Sequence, residues 1–250
     1  MLQALACFFC TLLYLVLRPR RVGVFFMDGM RFEYPMGMNT VLVRNFAPLV
    51  EWQARMVSGL VAKGVVVEKV TVRDYYMAGT RIGFMLINVT MHLHGVPLPG
   101  PVLLRGTTAV VLLWYRQWVT GEVHVVLVHQ PRVAAGRALW EAPSGTIDYT
   151  GRFEGPTLEA VAAYTGTPLD HDTLLCEHRM SPHMSPGLLD ETLALYSAEI
   201  PPCTPPPVPD DGGGDGAALT TAVVAAVPLT DARTFEDGKL RVLLAAAKLA

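Results

Sequence analysis

The stretch Gly145-Thr-Ile-Asp-Tyr-Thr-Gly-Arg-Phe-Glu-Gly-Pro156-Thr-Leu-Glu-Ala-Val-Ala-Ala-Tyr164-Thr-Gly166 decides how this chain is read. Pro156 sits where the first turn of a helix belongs, since its fixed φ suits that turn and its missing N–H is not needed there. Residues 157–164 continue the helix. Gly166 ends it, because glycine takes the left-handed conformation past a last turn without steric cost. The lead-in is Glu141-Ala-Pro-Ser144, from a short strand expected over residues 139–142. The unit is thus strand, loop, helix.

Upstream, residues 107–115 and 122–129 are rich in β-branched side chains and read as strands joined by a polar turn around Thr120-Gly121. Residues 65–74 and 82–93 read as strands too, the second stopped by the turn Pro97-Leu-Pro-Gly-Pro101. Asp28-Gly29 divides residues 22–34 into a hairpin. A helix is expected from near Asn45 to near Ser58, with Pro48 in its first turn and Phe46, Leu49, Val50 and Trp52 at helical spacing. Downstream, residues 174–178, 192–200 and 222–229 read as strands. Residues 201–216 form a Pro/Gly-rich loop and 234–250 a helix. No internal repeat is present, and the alternation gives a mixed α/β fold.

A chain of 250 residues suits one large domain or two small ones. With 51% hydrophobic and 17% charged residues it can bury a sizeable core and still leave apolar surface exposed. A net charge of −2 makes no case for nucleic acid, which only a local basic patch would then bind. Cys7 and Cys10 have C-x-x-C spacing inside an apolar run, without a second pair or a nearby histidine. Two buried thiols is a better reading than a redox or zinc site. Residues 2–17 are apolar apart from Gln3 and Thr11, and Arg18, Arg20 and Arg21 follow. The run is shorter than the ~20 residues of a bilayer crossing, a gap that tilt or arginine snorkelling closes. Its basic flank comes after it, the reverse of a secretory signal peptide. Three readings stand: a membrane anchor, a helix docked on a partner's apolar surface, or a buried helix. In the first, the arginines place the rest of the chain on the inner side, cytoplasm or matrix.

From about residue 41 onward the chain resembles the Nudix hydrolase family, most of all its ADP-sugar and nucleoside-diphosphate-sugar diphosphatase branch. The family's box runs Gly, five residues, Glu, seven residues, Arg-Glu, an apolar residue, any residue, Glu-Glu, any residue, Gly. Gly145 and Gly166 fall on its two ends. Glu141-Ala-Pro-Ser-Gly145 resembles the box entry, and Gln130-Pro-Arg132 the element on the preceding strand whose arginine meets substrate. Ser185-Pro-Gly187 with Asp190-Glu191 resembles the loop that supplies a general base. The resemblance implies a Nudix-type α/β/α sandwich with a mixed sheet over residues 106–250. A β-rich region with one helix (22–105) and an N-terminal apolar helix (1–21) would precede it.

The box departs from the family where its chemistry lies. The acidic positions hold Gly151, Ala160, Ala163 and Tyr164, and the arginine position holds Glu159. The family hydrolyses diphosphate linkages with magnesium or manganese held by glutamates of the box helix. Methyl groups cannot ligate a hard cation, and a phenol is a poor ligand at neutral pH. No cofactor is therefore expected, magnesium entering only with residual activity. What the resemblance leaves is Glu191 as relict base and Arg132 and Gln130 as relict substrate contacts. A relocated metal site would draw on the Ser144 carbonyl, Glu159 and Glu191. Set against that, Glu159 reads as a solvated helix residue, and Glu191 and Arg132 as structural hydrogen-bond partners. His171, His178 and His183 lie near Cys176 without zinc spacing and read as loop histidines. His92 and His94 alternate on one strand and are expected on one sheet face.

Ala160 and Ala163, with Val161 and Ala162, would offer a small apolar surface to a neighbour where an active relative meets metal and water. The expectation is a catalytically inactive Nudix-fold accessory subunit of a larger membrane-associated complex. Its partners would be protein subunits, with membrane contact through residues 2–17. A mitochondrial assembly, on the inner membrane or matrix side, is the specific compartment and the cytoplasm the alternative. Two readings compete: a residual metal-dependent nucleoside-diphosphate-sugar pyrophosphatase, and a nucleotide- or RNA-binding module using Arg132 and the faces of Trp114, Trp118 and Trp140.

Overall fold

A computed structural model describes residues 22–147, 153–169, 176–178, 180–202 and 222–249. The expected apolar helix at 1–21, most of the 201–216 loop, Gly151 and His171 lie outside them. The chain divides into two compact units, one reaching Arg105 and taking in Gly187–Asp190, the other comprising Gly106–Pro186 and Glu191–Ala250. No described helix is long and apolar enough to cross a membrane.

In the first unit, β1 (Val22–Met27) and β2 (Met30–Pro35) form the expected hairpin. Asp28 and Gly29 both have positive φ, 44° and 80°, the two-residue turn whose twist matches that of its strands. A short helix α1 (Thr40–Arg44) was not foreseen in the sequence. Its start is set by the Asn39 side chain, which accepts from the Val41 and Leu42 amides. The expected longer helix, α2 (Ala47–Gly59), begins slightly later than near Asn45 and keeps Pro48 in its first turn. It lays Leu49, Trp52 and Met56 on the sheet and sends Gln53 to the hairpin, where Nε2 donates to the Met27 carbonyl at 2.6 Å.

β3 (Val65–Ala78) and β4 (Arg81–Leu93) are the long antiparallel pair of this unit, and β3 also runs parallel to β2. On the outer side Glu33 accepts from Lys69 at 3.0 Å, a hydrogen bond that holds its carboxyl below the usual range. The turn expected to stop β4 instead folds the chain back onto it. β5 (Val96–Pro97) and β6 (Pro101–Leu104) both pair with β4. His94 lies past the end of β4 with φ 50°, so it does not share a strand face with His92. The core includes Phe25 stacked on Phe32 at 4.9 Å, with Leu49, Val70, Met85 and Ile87 fully or nearly fully buried. Each such side chain contributes about 1.5–3 kcal/mol of transfer free energy.

The segment Gly187–Asp190 closes the outer edge of β6. The Leu103 amide donates to the Leu188 carbonyl at 2.8 Å, and the Asp190 amide to the Leu103 carbonyl at 3.3 Å. The Asp190 carboxylate accepts the Arg105 amide at 2.7 Å and pairs with Arg55 of α2 at 3.4 Å.

The second unit is built on β7 (Thr107–Arg116). β8 (Val123–Arg132), β9 (Arg137–Glu141), β10 (Ser144–Ile147) and β11 (Phe153–Glu154) follow, then α3 (Pro156–Thr165). β12 (Cys176–Glu177), β13 (Thr192–Glu199), β14 (Val223–Pro228), α4 (Leu229–Ala232) and α5 (Gly238–Ala246) complete it. β7 pairs in parallel with β13 and antiparallel with β8 and β10, so the sheet is mixed. β7 is apolar at nearly every position because both its faces are covered. Ala109, Val111 and Leu113 pack with Leu158 and Val161 of α3, while Val110 and Leu112 pack with Leu240 and Leu243 of α5. The mixed α/β reading therefore holds. The C-terminal helix is shorter than 234–250, since Asp237 caps α5 at the Lys239 and Leu240 amides.

Candidate functional site

The box segment is held by contacts invisible in its spacing. Gly145, at the start of the box, lies inside β10. A side chain there would meet the Glu154 carbonyl oxygen at 2.1 Å and Leu158 Cδ1 at 2.6 Å. Its need is close approach, not a special backbone angle. β10 and β11 pair at Thr146–Glu154 and Ile147–Phe153, an unexpected small hairpin that returns the chain to α3. Thr157, one residue after Pro156, donates its hydroxyl to the Ser144 carbonyl at 2.7 Å. The Ser144 oxygen nominated for a relocated metal thus already has a protein donor. Gly166 ends α3 with φ 66°, as expected.

On α3 the box positions have separate fates. Glu159 is exposed in the first turn, Ala160 is partly buried and Ala163 is exposed. Val161 is fully buried in the core, so it is no part of the apolar surface expected at 160–163. Tyr164 turns to β14, where its hydroxyl accepts the Ala226 amide at 3.2 Å.

The Gln-x-Arg element pairs with the box entry. Arg132 on β8 donates from Nε to Glu141 Oε1 at 2.6 Å and from a terminal nitrogen to Oε2, a two-pronged contact. Gln130 Nε2 adds a donor to Oε2 at 3.3 Å. Glu141 is buried, its side chain 4% exposed, whereas that of Arg132 is 40% exposed. The hydrogen bond to Glu141 raises the Arg132 pKa above its ordinary value, burial opposes this, and the charges of Glu141 and Asp237 add to it. Asp237 accepts the Ala142 amide at 3.1 Å, tying the start of α5 to the residue after Glu141. Lys239, on the same turn, reaches Ser144 Oγ at 3.5 Å.

Glu191 is also buried and accepts the Thr108 hydroxyl at 2.6 Å. Strand parity separates this carboxylate from the other. Thr108 has the parity of Val110 and Leu112, on the α5 face, while Gln130 and Arg132 have that of Val126 and Val128, on the α3 face. The structure therefore joins Gln130, Arg132 and Glu141, and sets Glu191 with Thr108 on the other side of the sheet. Along the sequence Glu141 carries no sign of this partner. Its partnership became readable once β8 and β9 were in register, with Val128 opposite Glu141.

Among the described residues no group of three or more His, Cys, Asp or Glu is placed to hold a metal ion. His178 meets the buried Ser197 hydroxyl at 2.9 Å, and burial lowers its pKa. Trp140 lies between His129 and Phe235, at 4.9 and 5.9 Å. Trp114 has Arg116 over its ring at 5.8 Å, and Trp118 is exposed.

The second unit is thus a mixed sheet with a box-spaced loop and helix on one face, entered through a buried glutamate. The chain is 29% identical over 177 residues to Nudix hydrolase 14, chloroplastic, of Arabidopsis thaliana, a match covering 66% of this chain and 55% of that protein. It is thus related to the Nudix family, and it spans about half the length of that relative. No family model matches the chain. Among solved structures it is similar to an ADP compounds hydrolase, with TM-score 0.44 and 14% identity over 74% of this chain and 92% of that one. It is also similar to a chain in the complex between the C-terminal domain of mouse MUTYH and human PCNA. There the TM-score is 0.38 and the identity 16%, over 57% of this chain and 86% of that one.

Proposed function

We propose that this Nudix-related chain does not hydrolyse diphosphates and acts as an accessory subunit of a larger, membrane-associated assembly. The observation that carries the reading is Tyr164. At a position where the family places a metal-binding carboxylate, its hydroxyl is committed to the Ala226 amide of β14. Ala160 and Ala163 offer no oxygen, and the Arg132 fork is engaged by Glu141. A diphosphate approaching Arg132 would have to displace a buried carboxylate. Protein subunits are the partners in this reading. The run at residues 2–17 supplies the membrane contact, and the arginines behind it support the inner-membrane or matrix side of mitochondria.

The test is hydrolysis of ADP-ribose and ADP-glucose with magnesium or manganese, with Glu191→Gln as control. The expected result is no product above the protein-free background. Metal-dependent turnover abolished by Glu191→Gln would overturn the inactive reading and favour the residual pyrophosphatase. Isolation of the native chain in mild detergent checks the second part. Co-migration with defined subunits is expected, and a free monomer in the soluble fraction would refute it. Imaging of the tagged chain decides the compartment, a cytosolic distribution counting against mitochondria.

A further inference from the structure

Three large apolar side chains stand apart in exposure. Trp118 is 86% exposed, Val119 93% and Val133 96%, and no other among the described residues exceeds 64%. Trp118 and Val119 are neighbours at the tip of the β7–β8 hairpin, whereas Val133 follows the opposite end of β8.

Residues 117–122 read Gln-Trp-Val-Thr-Gly-Glu. The Gln117 amide donates to the Glu122 carbonyl at 2.9 Å, and the Gly121 amide to the Gln117 carbonyl at 2.8 Å. The Thr120 hydroxyl donates to Gln117 Oε1 at 2.8 Å and accepts the Glu122 amide at 3.2 Å. Gly121, with φ 71°, completes the reversal without steric cost. The turn is thus fixed by Gln117, Thr120 and Gly121, and its two apolar side chains project into solvent.

We propose that this tip enters the surface of a neutral lipid bilayer. The inference rests on the membrane-associated reading above and adds a second contact to the one given to residues 2–17. Hydrogen bonding selects lipid over a protein pocket. A lipid interior offers no donors, so a segment entering it must satisfy its own polar groups, as this turn does through its internal bonds. The boundary is sharp as well. Behind the two apolar residues come exposed Arg116, Gln117, Thr120 and Glu122, so the hairpin changes from apolar to polar across its own axis. Arg116 lies two residues behind Trp118, ~7 Å along an extended strand. Its guanidinium is 5.8 Å from the centre of the Trp114 ring. With the tip ~5–10 Å into the headgroup–acyl boundary, that cation sits at the level of the phosphates. An indole, apolar in body with one N–H, suits the same depth. Arg116 and Glu122 cancel in charge, so anionic lipid is not required.

The test uses the full chain with its four cysteines replaced by serine and one cysteine returned to carry an environment-sensitive fluorophore. Circular dichroism confirms that each variant is folded. Flotation with phosphatidylcholine vesicles reads whether the chain meets the bilayer, and the fluorophore reads whether this hairpin does. At Val119→Cys the emission should shift to shorter wavelength on adding vesicles and be quenched by spin-labelled lipid. At Val133→Cys, equally exposed but at the other end of β8, it should stay unchanged. Trp118→Asp puts a charge at the tip and should abolish the Val119→Cys shift while flotation persists. Adding phosphatidylserine should alter the shift less than about twofold. A chain that floats while the Val119→Cys probe stays unchanged overturns the hairpin contact and leaves the membrane reading standing. A chain that does not float overturns both. Equal shifts at Val119→Cys and Val133→Cys, or a shift that requires phosphatidylserine, overturn the proposal as well. So does a Val119→Cys probe silent on vesicles but shielded in the isolated native assembly, which would set the tip against protein.

Discussion

The Arg132–Glu141 contact yields the sharpest test of how the box entry is held, because its two ends differ in exposure. Glu141 is 4% exposed and Arg132 40%. Removing the arginine strands a buried carboxylate whose other donor among the described residues is Gln130 at 3.3 Å. Breaking a fully buried pair costs about 3–5 kcal/mol, and the partial exposure of the arginine brings Arg132→Ala to the low end, about 3 kcal/mol. Glu141→Gln leaves a guanidinium that water can reach and an amide that still accepts one hydrogen bond, so about 1–2 kcal/mol is lost. Arg132→Ala with Glu141→Gln removes both charges together and should fall well short of the sum. The expected coupling is about 1.5–2.5 kcal/mol. Urea unfolding of the wild type, the two single variants and the double variant measures it, with the same arginine substitution in both arms of the cycle. Additivity to within about 0.5 kcal/mol would refute the idea that Arg132 serves Glu141, and would return the arginine to the pool of groups open to a ligand.

Other outcomes follow from single contacts. Gly145→Ala drives a methyl group into the Glu154 carbonyl, a backbone atom that cannot swing aside, and should cost about 2–3 kcal/mol in urea unfolding; an unchanged midpoint would contradict the close approach. Tyr164→Phe removes the acceptor of the Ala226 amide and should cost about 1–2 kcal/mol, with faster hydrogen exchange at that amide; unchanged exchange there would argue against the contact. Burial holds His178 below its ordinary pKa of 6.5, so the folded state prefers the neutral ring. The stability it contributes is present above 6.5 and lost as the pH falls through its folded-state pKa, and its NMR titration should have a midpoint under 6.5; a midpoint above that value would be the wrong sign. Asp237→Ala removes the cap of α5 and the acceptor of the Ala142 amide, and a loss of about 2 kcal/mol is expected in thermal unfolding; a loss below about 0.5 kcal/mol would mean the cap is dispensable.

What the sequence revealed was local. Asp28-Gly29 marked its hairpin because few residue pairs tolerate two positive φ angles. Pro156 and Gly166 marked the ends of α3 through their own backbone restrictions. The valine-rich strands were legible because β-branched side chains suit a sheet covered on both faces. Properties that depend on register were not legible. Tyr164 and Ala226 are 62 residues apart, and nothing in either neighbourhood names the other. The role of Gly145 depends on where Glu154 returns, which the loop between them conceals. Glu191 and Arg132 looked like members of one constellation because spacing along the chain carries no face. Counting parity on β7 and β8 sets them on opposite sides of the sheet. Asn39 carries a local cue of the same kind, an asparagine directly before the run Thr40–Arg44 that it caps.

The stitching of Gly187–Asp190 into the first unit bears on how the chain is made. The carboxylate that receives the Arg105 amide lies 85 residues further on. A ribosome adding roughly 5–20 residues per second needs roughly 4–17 s to supply it. During that interval β6 emerges with its outer side open, and the first unit waits for a piece of sequence encoded within the second. Neither unit is a contiguous cassette that recombination could move intact, so any ancestor in which they were separate must have lacked this crossover.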